Sequence, residues 1–326
     1  MREPLFIKQN IEKWEEFEHT PSHDPDVIAG QFITITDDLA YSRTFYPKSN
    51  TTKYLNGLAS KFHQSIYKNK KEKKHRFFQF WKTDLPLLFA RHKKQLLYSF
   101  LLFLIFSMMG ALSAKYDNNF VRLILTDNYV NMTNENIAKG DPFGVYKDED
   151  PVLMFIGIAE HNLYVTVMCF AAGIFFSIGS VYMSMQNAVM LGSFEYFLVS
   201  KGLGTQSVLV IWIHGVLEIS SIIIACGAGL VMGNSIIFPK TYTRMASFKK
   251  GATEGLKIVI GILPVIVAAA VLEGFVTRHT EMPAWLSISI LLTTLSFIIW
   301  YVIIYPNILT RKLTPTLSQL ADGNEN

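Results

Sequence analysis

The chain has 326 residues, of which 50% are hydrophobic and 17% are charged, with a mean hydropathy of +0.26 and a formal net charge of +4. A soluble protein of this length carries more charge, and several stretches here stay nearly uncharged over the ~20 residues that a helix needs to span a bilayer. The composition therefore excludes an ordinary soluble protein and predicts an all-α, polytopic helical membrane protein.

Both cysteines, Cys169 and Cys226, lie within apolar stretches, where they are typical of small buried hydrophobic residues and not of a disulfide. The sequence has no CxxC motif and no Cys/His cluster, so it predicts no zinc site. We accordingly expect no metal and no cofactor.

Residues 1–75 are predicted to form a cytoplasmic helical unit. Their apolar residues recur at three- and four-residue steps in three stretches, which is the period of a helix. Asp24-Pro25 is typical of the start of the second helix, although the alternation at 33–36 would also suit a strand. We favour three helices that bury one shared apolar seam, with His63 on the surface.

A basic run ends this unit and is followed at once by four aromatic residues within 77–81. Its basic side chains include Lys70, Lys71, Lys73, Lys74 and Arg76. Charge alone would also suit nucleic acid. Basic residues beside aromatic ones instead favour a membrane-surface helix over 76–93 that contacts anionic lipid head groups, and we expect no nucleic-acid partner.

The transmembrane helical domain is predicted over 94–306, followed by a polar tail at 307–326. Its long apolar segments lie at 95–114, 152–185, 206–232, 256–277 and 284–305. A further piece at 187–200 is short and carries Glu195, so it either crosses the membrane or dips in and returns as a re-entrant segment. The sequence thus predicts about six membrane segments, with the acid-leaning stretch 117–150 outside.

The distribution of basic residues bears on the topology. If 187–200 does not cross, five spans place the basic loop 240–250 and the pair Arg311-Lys312 outside. If it crosses, six spans place both of them inside. Basic loops tend to stay in the cytoplasm, so we favour six spans and a cytoplasmic N-terminus.

Ionisable residues inside the apolar segments are the candidate functional residues. His214 and Glu218 are four residues apart, which places both on one face of a helix. A charged residue at membrane depth costs on the order of 2.5–3.5 kcal/mol and usually faces the bundle interior beside a partner. Candidate partners at the end of the next segment are Glu273, Thr277 and Arg278. We predict that these five residues form an intramembrane polar cluster, which either has a function or serves only packing and register. Glu160 and Glu195 are further candidates for buried acids.

Four motifs carry a family resemblance. They are Asp38-Leu39-Ala40-Tyr41-Ser42-Arg43-Thr44-Phe45-Tyr46-Pro47, Asn187-Ala188-Val189-Met190-Leu191-Gly192, His214-Gly215-Val216-Leu217-Glu218 and Glu273-Gly274-Phe275-Val276-Thr277-Arg278. Together they resemble the stage II sporulation protein M family of bacterial and archaeal membrane proteins. The resemblance covers most of the chain, because the N-terminal part is similar to that of longer members from non-sporulating bacteria.

In spore formers, the family member works with a lytic transglycosylase and an amidase that remodel septal peptidoglycan, and it is thought to anchor or localise them. The resemblance therefore implies a non-enzymatic scaffold or anchor for envelope-protein partners, and it implies no catalytic residue. A second copy of the chain is a further candidate partner, as a homodimer.

Two other classes of function stay open on the residues alone. Six spans with buried acids would suit a permease-like transport subunit. The sequence has no GxxxxGK[ST] motif, so the ATPase would be a separate chain. An intramembrane hydrolase that uses His214 is disfavoured, because the sequence has neither a nucleophile elbow nor an HExxH motif.

Overall fold

The computed structural model describes residues 2–19, 25–68, 76–147 and 150–322, and all regular elements within these ranges are helices. The all-α class predicted from the composition is therefore confirmed. The chain divides into two compact units, Met1–Arg76 and Phe77–Asn326. Each unit has its own buried apolar core.

The first unit consists of three helices, α1 (Glu3–His19), α2 (Pro25–Phe45) and α3 (Asn50–Lys68). Trp14 is 1% exposed at the centre of its core, and its indole Nε1 donates a hydrogen bond of 2.8 Å to Asp38. The same carboxylate pairs with Lys13 at 2.6 Å. Helix α2 runs through 33–36, so the strand alternative is wrong, and His63 is exposed on α3.

The second unit begins with a broken helical segment. Its parts are α4 (Arg76–Gln79), a π-helical turn (Phe80–Asp84) and α5 (Leu85–Arg91). Leu85 and Phe89 are buried, and Trp81 donates a hydrogen bond of 3.0 Å to the carbonyl of Gly261. We expected the helix over 76–93 to lie on the membrane surface with its apolar side chains in lipid. For α5 this prediction is wrong, because its apolar face packs against other helices of the protein.

The next helices are α6 (Lys93–Tyr116), α7 (Asn118–Leu125) and α8 (Asp127–Ala138), followed by a 3-10 turn (Gly144–Tyr146). Val121, Val130 and Phe143 belong to one buried apolar cluster with Ala114 of α6 and Phe197. Residues 118–146, within the acid-leaning stretch predicted to lie outside the membrane, therefore form a folded helical cap on one end of the bundle. We call that end the cap end.

A reversal of the chain follows α9 (Pro151–Ala171) and separates it from α10 (Ile178–Ser200). Phe176 and Ser177 have positive φ angles of 52° and 69° at this reversal. The prediction of one span over 152–185 is therefore wrong, and 187–200 is the second half of a continuous helix of 23 residues that does not turn back. No glycine or proline stands at 175–177 to indicate the turn.

The remaining helices are α11 (Gly204–Val210), α12 (Trp212–Ile237), α13 (Arg244–Val271) with a π-helical turn (Leu272–Thr277), α14 (Ala284–Ile299) with a π-helical turn (Trp300–Ile304), and α15 (Tyr305–Asp322). Most of α12 is buried, so it is the central helix of the bundle. Glycines and alanines such as Gly227, Ala228 and Gly229 let its neighbours approach closely.

Contacts at both ends of α12 fix the direction of its neighbours. Ser99 of α6 donates a hydrogen bond of 2.7 Å to the carbonyl of Ile223, in the middle of α12. Ser177, just before α10, donates a bond of 3.4 Å to the carbonyl of Leu230, while Glu195 near the end of α10 accepts one from Trp212. Helix α10 is therefore antiparallel to α12.

The other helices complete an alternating arrangement. Phe155 near the start of α9 lies against Gly274, whereas Phe170 at its end lies against Gly255, so α9 is antiparallel to α13. Helix α13 is antiparallel to α12, since Thr277 meets His214. The short connection 278–283 then reverses the chain into α14. The start of α6, residues 240–250 at and just before the start of α13, and the start of α15 consequently lie at one end, the basic end, opposite the cap end.

Within the described ranges, five helical stretches are long and apolar enough to cross a membrane. They are Lys93–Tyr116, Pro151–Ile174, Trp212–Ile237, Arg244–Thr277 and Ala284–Leu313. Helix α10 is the sixth helix of the alternating bundle, but Gln186, Asn187 and Glu195 make it less apolar than these five. The chain is thus a multi-pass membrane protein, as the composition predicted.

Candidate functional site

The first turn of α12 carries the buried histidine of the predicted polar cluster. His214 is 3% exposed, and Glu218 follows one turn later on the same face, half-buried. The helix starts at Trp212, so both side chains lie close to the cap end of the bundle.

The π-helical turn Leu272–Thr277 brings two side chains of α13 to this histidine. A π-helix is wider than an α-helix and closes i→i+5 hydrogen bonds, so residues four apart, such as Glu273 and Thr277, lie near the same face. The hydroxyl Oγ1 of Thr277 is 2.9 Å from His214 Nδ1. On the other side of the ring, Glu273 Oε2 is 3.7 Å from His214 Nε2. Each ring nitrogen thus faces a different residue of one π-helical turn.

His214, Glu218 and Glu273 converge on one point between α12 and α13. One nitrogen or oxygen atom from each side chain lies within 4.8 Å of the corresponding atoms of the other two. His214 Nδ1 is hydrogen-bonded to Thr277, while the separation of 3.7 Å between Nε2 and Glu273 Oε2 exceeds ordinary hydrogen-bonding distance. Over the described ranges, neither Glu218 nor Glu273 accepts a hydrogen bond.

Arg278, the fifth member of the predicted cluster, contacts the cap. A guanidinium nitrogen of Arg278 donates a hydrogen bond of 3.4 Å to the carbonyl of Lys147, after the 3-10 turn of the cap. Arg278 therefore ties the end of α13 to the cap, next to the cluster.

The two further acid candidates behave differently from each other. Glu195 is half-buried, and its carboxylate accepts hydrogen bonds from Ser207 Oγ at 3.0 Å and from Trp212 Nε1 at 2.9 Å. It therefore fastens α10 to α11 and to the start of α12. Glu160 is exposed on α9, so its prediction as a buried acid is wrong. The face of α9 that packs inward is the one that carries Asn162.

A cavity of about 370 Å³ lies at the cap end, directly beside the cluster. Thr277 and Ile213, the residue before His214, both line it. The cap, the connection 278–283 and the start of α14 supply further lining, including Phe143, Lys147, Glu281 and Ser287. We call it the Thr277 cavity. No local sequence pattern indicates this cavity, because its walls come from segments far apart in the chain.

The structure describes only part of the predicted membrane-surface site. Lys70, Lys71, Lys73 and Lys74 lie outside the described residues, and the structure does not describe the side chain of Arg76. Further on, Arg91 and His92 both contact Glu254 of α13, at 2.5 and 2.7 Å. Burial lowers the pKa of His92 and outweighs the opposing effect of the Glu254 carboxylate.

A family model for stage II sporulation protein M matches residues 99–278, which is more than half of the chain. The chain belongs to the stage II sporulation protein M family. The match runs from α6 to the end of the π-helical turn in α13, so it contains every member of the polar cluster.

A second family model, a domain of unknown function (DUF8413), matches residues 4–68. This range coincides with the three helices of the first unit. No curated protein matches the chain, and no solved structure matches it. The sporulation-protein match therefore covers most of the membrane part, while the N-terminal unit is similar to a domain of unknown function.

Proposed function

We propose that this protein is a non-enzymatic membrane anchor that holds envelope- or peptidoglycan-remodelling partners at a bacterial cytoplasmic membrane. The observation that carries the proposal is the folded cap at one end of the bundle. Helices α7 and α8 and the following 3-10 turn bury their own apolar residues, yet leave side chains such as Leu123 77% exposed. A folded surface outside the spans suits the docking of a protein partner, and family membership favours partners that act on the cell wall.

The proposed orientation places the cap outside and the basic end in the cytoplasm. The basic end carries Arg91, Lys93, Lys94, Lys240, Arg244, Lys249 and Lys250. Basic residues next to membrane spans are retained in the cytoplasm, so the bundle inserts with this end inward. The helical unit Met1–Arg76 precedes the first span and lies in the cytoplasm under this proposal. There, the lysines at 70–74 are available to anionic lipid head groups.

A photo-crosslinking experiment tests the anchor. A photoreactive amino acid replaces Leu123 in the cap, and the matched control carries it at Leu104, which is exposed on the span α6. Under the proposal, Leu123 captures a defined protein that cleaves peptidoglycan, identified by mass spectrometry, while Leu104 captures lipid. Capture of no protein at Leu123, in cells that express the chain at its native level, contradicts the anchor.

A permease-like transport subunit is the second candidate, and one observation favours it. The buried cluster of His214, Glu218 and Glu273 lies directly beside the Thr277 cavity at the cap end, an arrangement that a solute or proton path would use. An ATPase on a separate chain would supply the energy. Solute flux in vesicles that is lost in Glu218→Gln but kept in Glu195→Gln supports transport, whereas equal flux in both variants rules out a path through the cluster.

A further inference from the structure

The two ring nitrogens of His214 have different partners, and this difference matters for what the cluster can bind. Nδ1 is hydrogen-bonded to the hydroxyl of Thr277 at 2.9 Å. When Nδ1 donates that bond, Nε2 carries no hydrogen and presents its lone pair toward Glu273 and Glu218. Metal-binding histidines usually have one ring nitrogen held by a hydrogen-bond partner, which fixes the tautomer and the ring orientation while the other nitrogen binds the metal.

The group that faces Nε2 is itself an acceptor. Glu273 Oε2 lies 3.7 Å from Nε2, and the donor atoms of all three side chains lie within 4.8 Å of one another. Two ligand atoms on a tetrahedral zinc ion, each ~2.0–2.2 Å from the metal, are about 3.4 Å apart. Contraction from at most 4.8 Å to about 3.4 Å, by up to about 1.4 Å, would therefore bring the three atoms to ligand distances. Rotation of the Glu218 and Glu273 side chains is sufficient for such a change.

Charge also favours a cation at this point. Two carboxylates that accept no hydrogen bond from the described residues lie between α12 and α13, inside stretches long enough to span a membrane. Two negative charges at membrane depth are costly, and one divalent cation neutralises both. An imidazole nitrogen with two carboxylate oxygens is a ligand set that suits zinc and its first-row neighbours.

We propose that His214 Nε2 and the carboxylates of Glu218 and Glu273 bind one divalent transition-metal cation, for which Zn²⁺ is the probe. The site links the start of α12 to the end of α13. The Thr277 cavity lies next to the site, since its lining includes Thr277, which bonds His214 Nδ1, and Ile213, the residue before the histidine. A water molecule would complete a four-coordinate site. The metal site does not depend on the anchor function, because it concerns residues inside the bundle.

Zinc binding to the full chain tests the proposal. The protein is purified in detergent without a histidine tag, stripped with a chelator and titrated with Zn²⁺ against a competing chelator of known affinity. We expect one zinc ion per chain. Glu218→Gln and Glu273→Gln, which keep the side-chain size and remove the charge, should each weaken binding at least tenfold. Thr277→Val, which removes the partner of Nδ1, should weaken it 10- to 100-fold.

Glu195→Gln is the matched control, because Glu195 is also a half-buried acid of the bundle but already accepts hydrogen bonds from Ser207 and Trp212. Its zinc affinity should equal that of the wild type. Folding of each variant is checked by its melting transition and elution volume. Absence of saturable binding by the folded wild type would overturn the proposal. So would full binding by the double variant Glu218→Gln/Glu273→Gln.

If a variant does not fold, zinc-edge X-ray absorption on the wild type identifies the atoms that bind the zinc ion. The proposed site gives nitrogen and oxygen ligands at about 2.0–2.2 Å. A sulfur ligand at about 2.3 Å would instead place the metal at Cys169 or Cys226 and would refute the assignment.

Discussion

Trp81 donates a hydrogen bond to the carbonyl of Gly261, which stands 180 residues further along the chain. The carbonyl of Trp81 in turn accepts a bond of 2.6 Å from Tyr301. Trp81 therefore joins the segment before the first span to two later helices. Because Gly261 has no side chain, Leu85 can pack against its backbone, where a Cβ would collide with the leucine methyl groups.

We expect Trp81→Phe to lower the stability of the bundle by about 1 kcal/mol, the usual net contribution of one hydrogen bond. Phenylalanine keeps the aromatic ring but cannot donate to the carbonyl of Gly261. The measurement is the melting temperature in detergent. The control is Phe78→Leu, since Phe78 is 72% exposed. Equal melting temperatures for Trp81→Phe and the wild type would show that the bond contributes nothing.

Two glycines of α12 should respond in opposite ways to alanine. A Cβ on Gly229 would collide with Ser180 Oγ and lie 2.8 Å from the carbonyl oxygen of Cys169. Overpacking of this kind costs about 1–3 kcal/mol. A Cβ on Gly215 meets nothing within 4 Å, and alanine is the better helix former. Thermal unfolding should show Gly229→Ala destabilised and Gly215→Ala unchanged or stabilised. Loss of stability in both variants would contradict the packing described for Gly229.

The sequence predicted some of these features and missed others for identifiable reasons. The cost of ionisable groups at membrane depth led to His214, Glu218 and Glu273 as one cluster, and the structure brings these three together. The same reasoning failed for Glu160, because the 3.6-residue period of α9 does not reveal which face packs on protein. The contact of Trp81 with Gly261 depends on tertiary packing, which no local pattern indicates. The reversal before α10 lacks the usual turn residues, so 152–185 looked like one span.

Three single cysteine substitutions test the orientation and the number of spans. Lys139 and Lys201 are exposed at the cap end, and Lys249 is exposed at the basic end. The native cysteines Cys169 and Cys226 are buried, which keeps background labelling low. With an impermeant thiol reagent on whole cells, Lys139→Cys and Lys201→Cys should be labelled and Lys249→Cys should not. Labelling of Lys249→Cys without Lys201→Cys would mean that α10 does not cross.

His92 should make the stability of the bundle depend on pH. Burial lowers the pKa of His92 in the folded protein, with Arg91 and Lys250 adding to the effect and Glu254 opposing it. The unfolded chain therefore binds a proton near the ordinary histidine pKa of about 6.5 while the folded protein does not. The contribution of neutral His92 to the stability of the folded protein is therefore fully present above this pH, and it is lost as the pH falls below it.

The measurement is the melting temperature between pH 8 and pH 5. We expect it to fall in acid for the wild type and to fall less for His92→Gln. His279→Gln, which replaces an exposed histidine of the same unit, should follow the wild type. An identical acid dependence in His92→Gln would assign the effect to other groups.

Glu160 provides the test of the proposed homodimer. It is exposed on α9, nine residues after the helix start at Pro151 and so about 14 Å along a span. An acid that faces lipid at this depth costs about 2.5–3.5 kcal/mol, whereas a second copy packed on α9 would shield it. We expect the wild type to be a dimer in nanodiscs by native mass measurement, and Glu160→Leu to shift it toward monomer. Leu101→Ala, on the exposed face of α6, should leave the dimer intact. A wild type that is monomeric, and that becomes more stable when Glu160 is replaced by leucine, would show that this acid simply faces lipid.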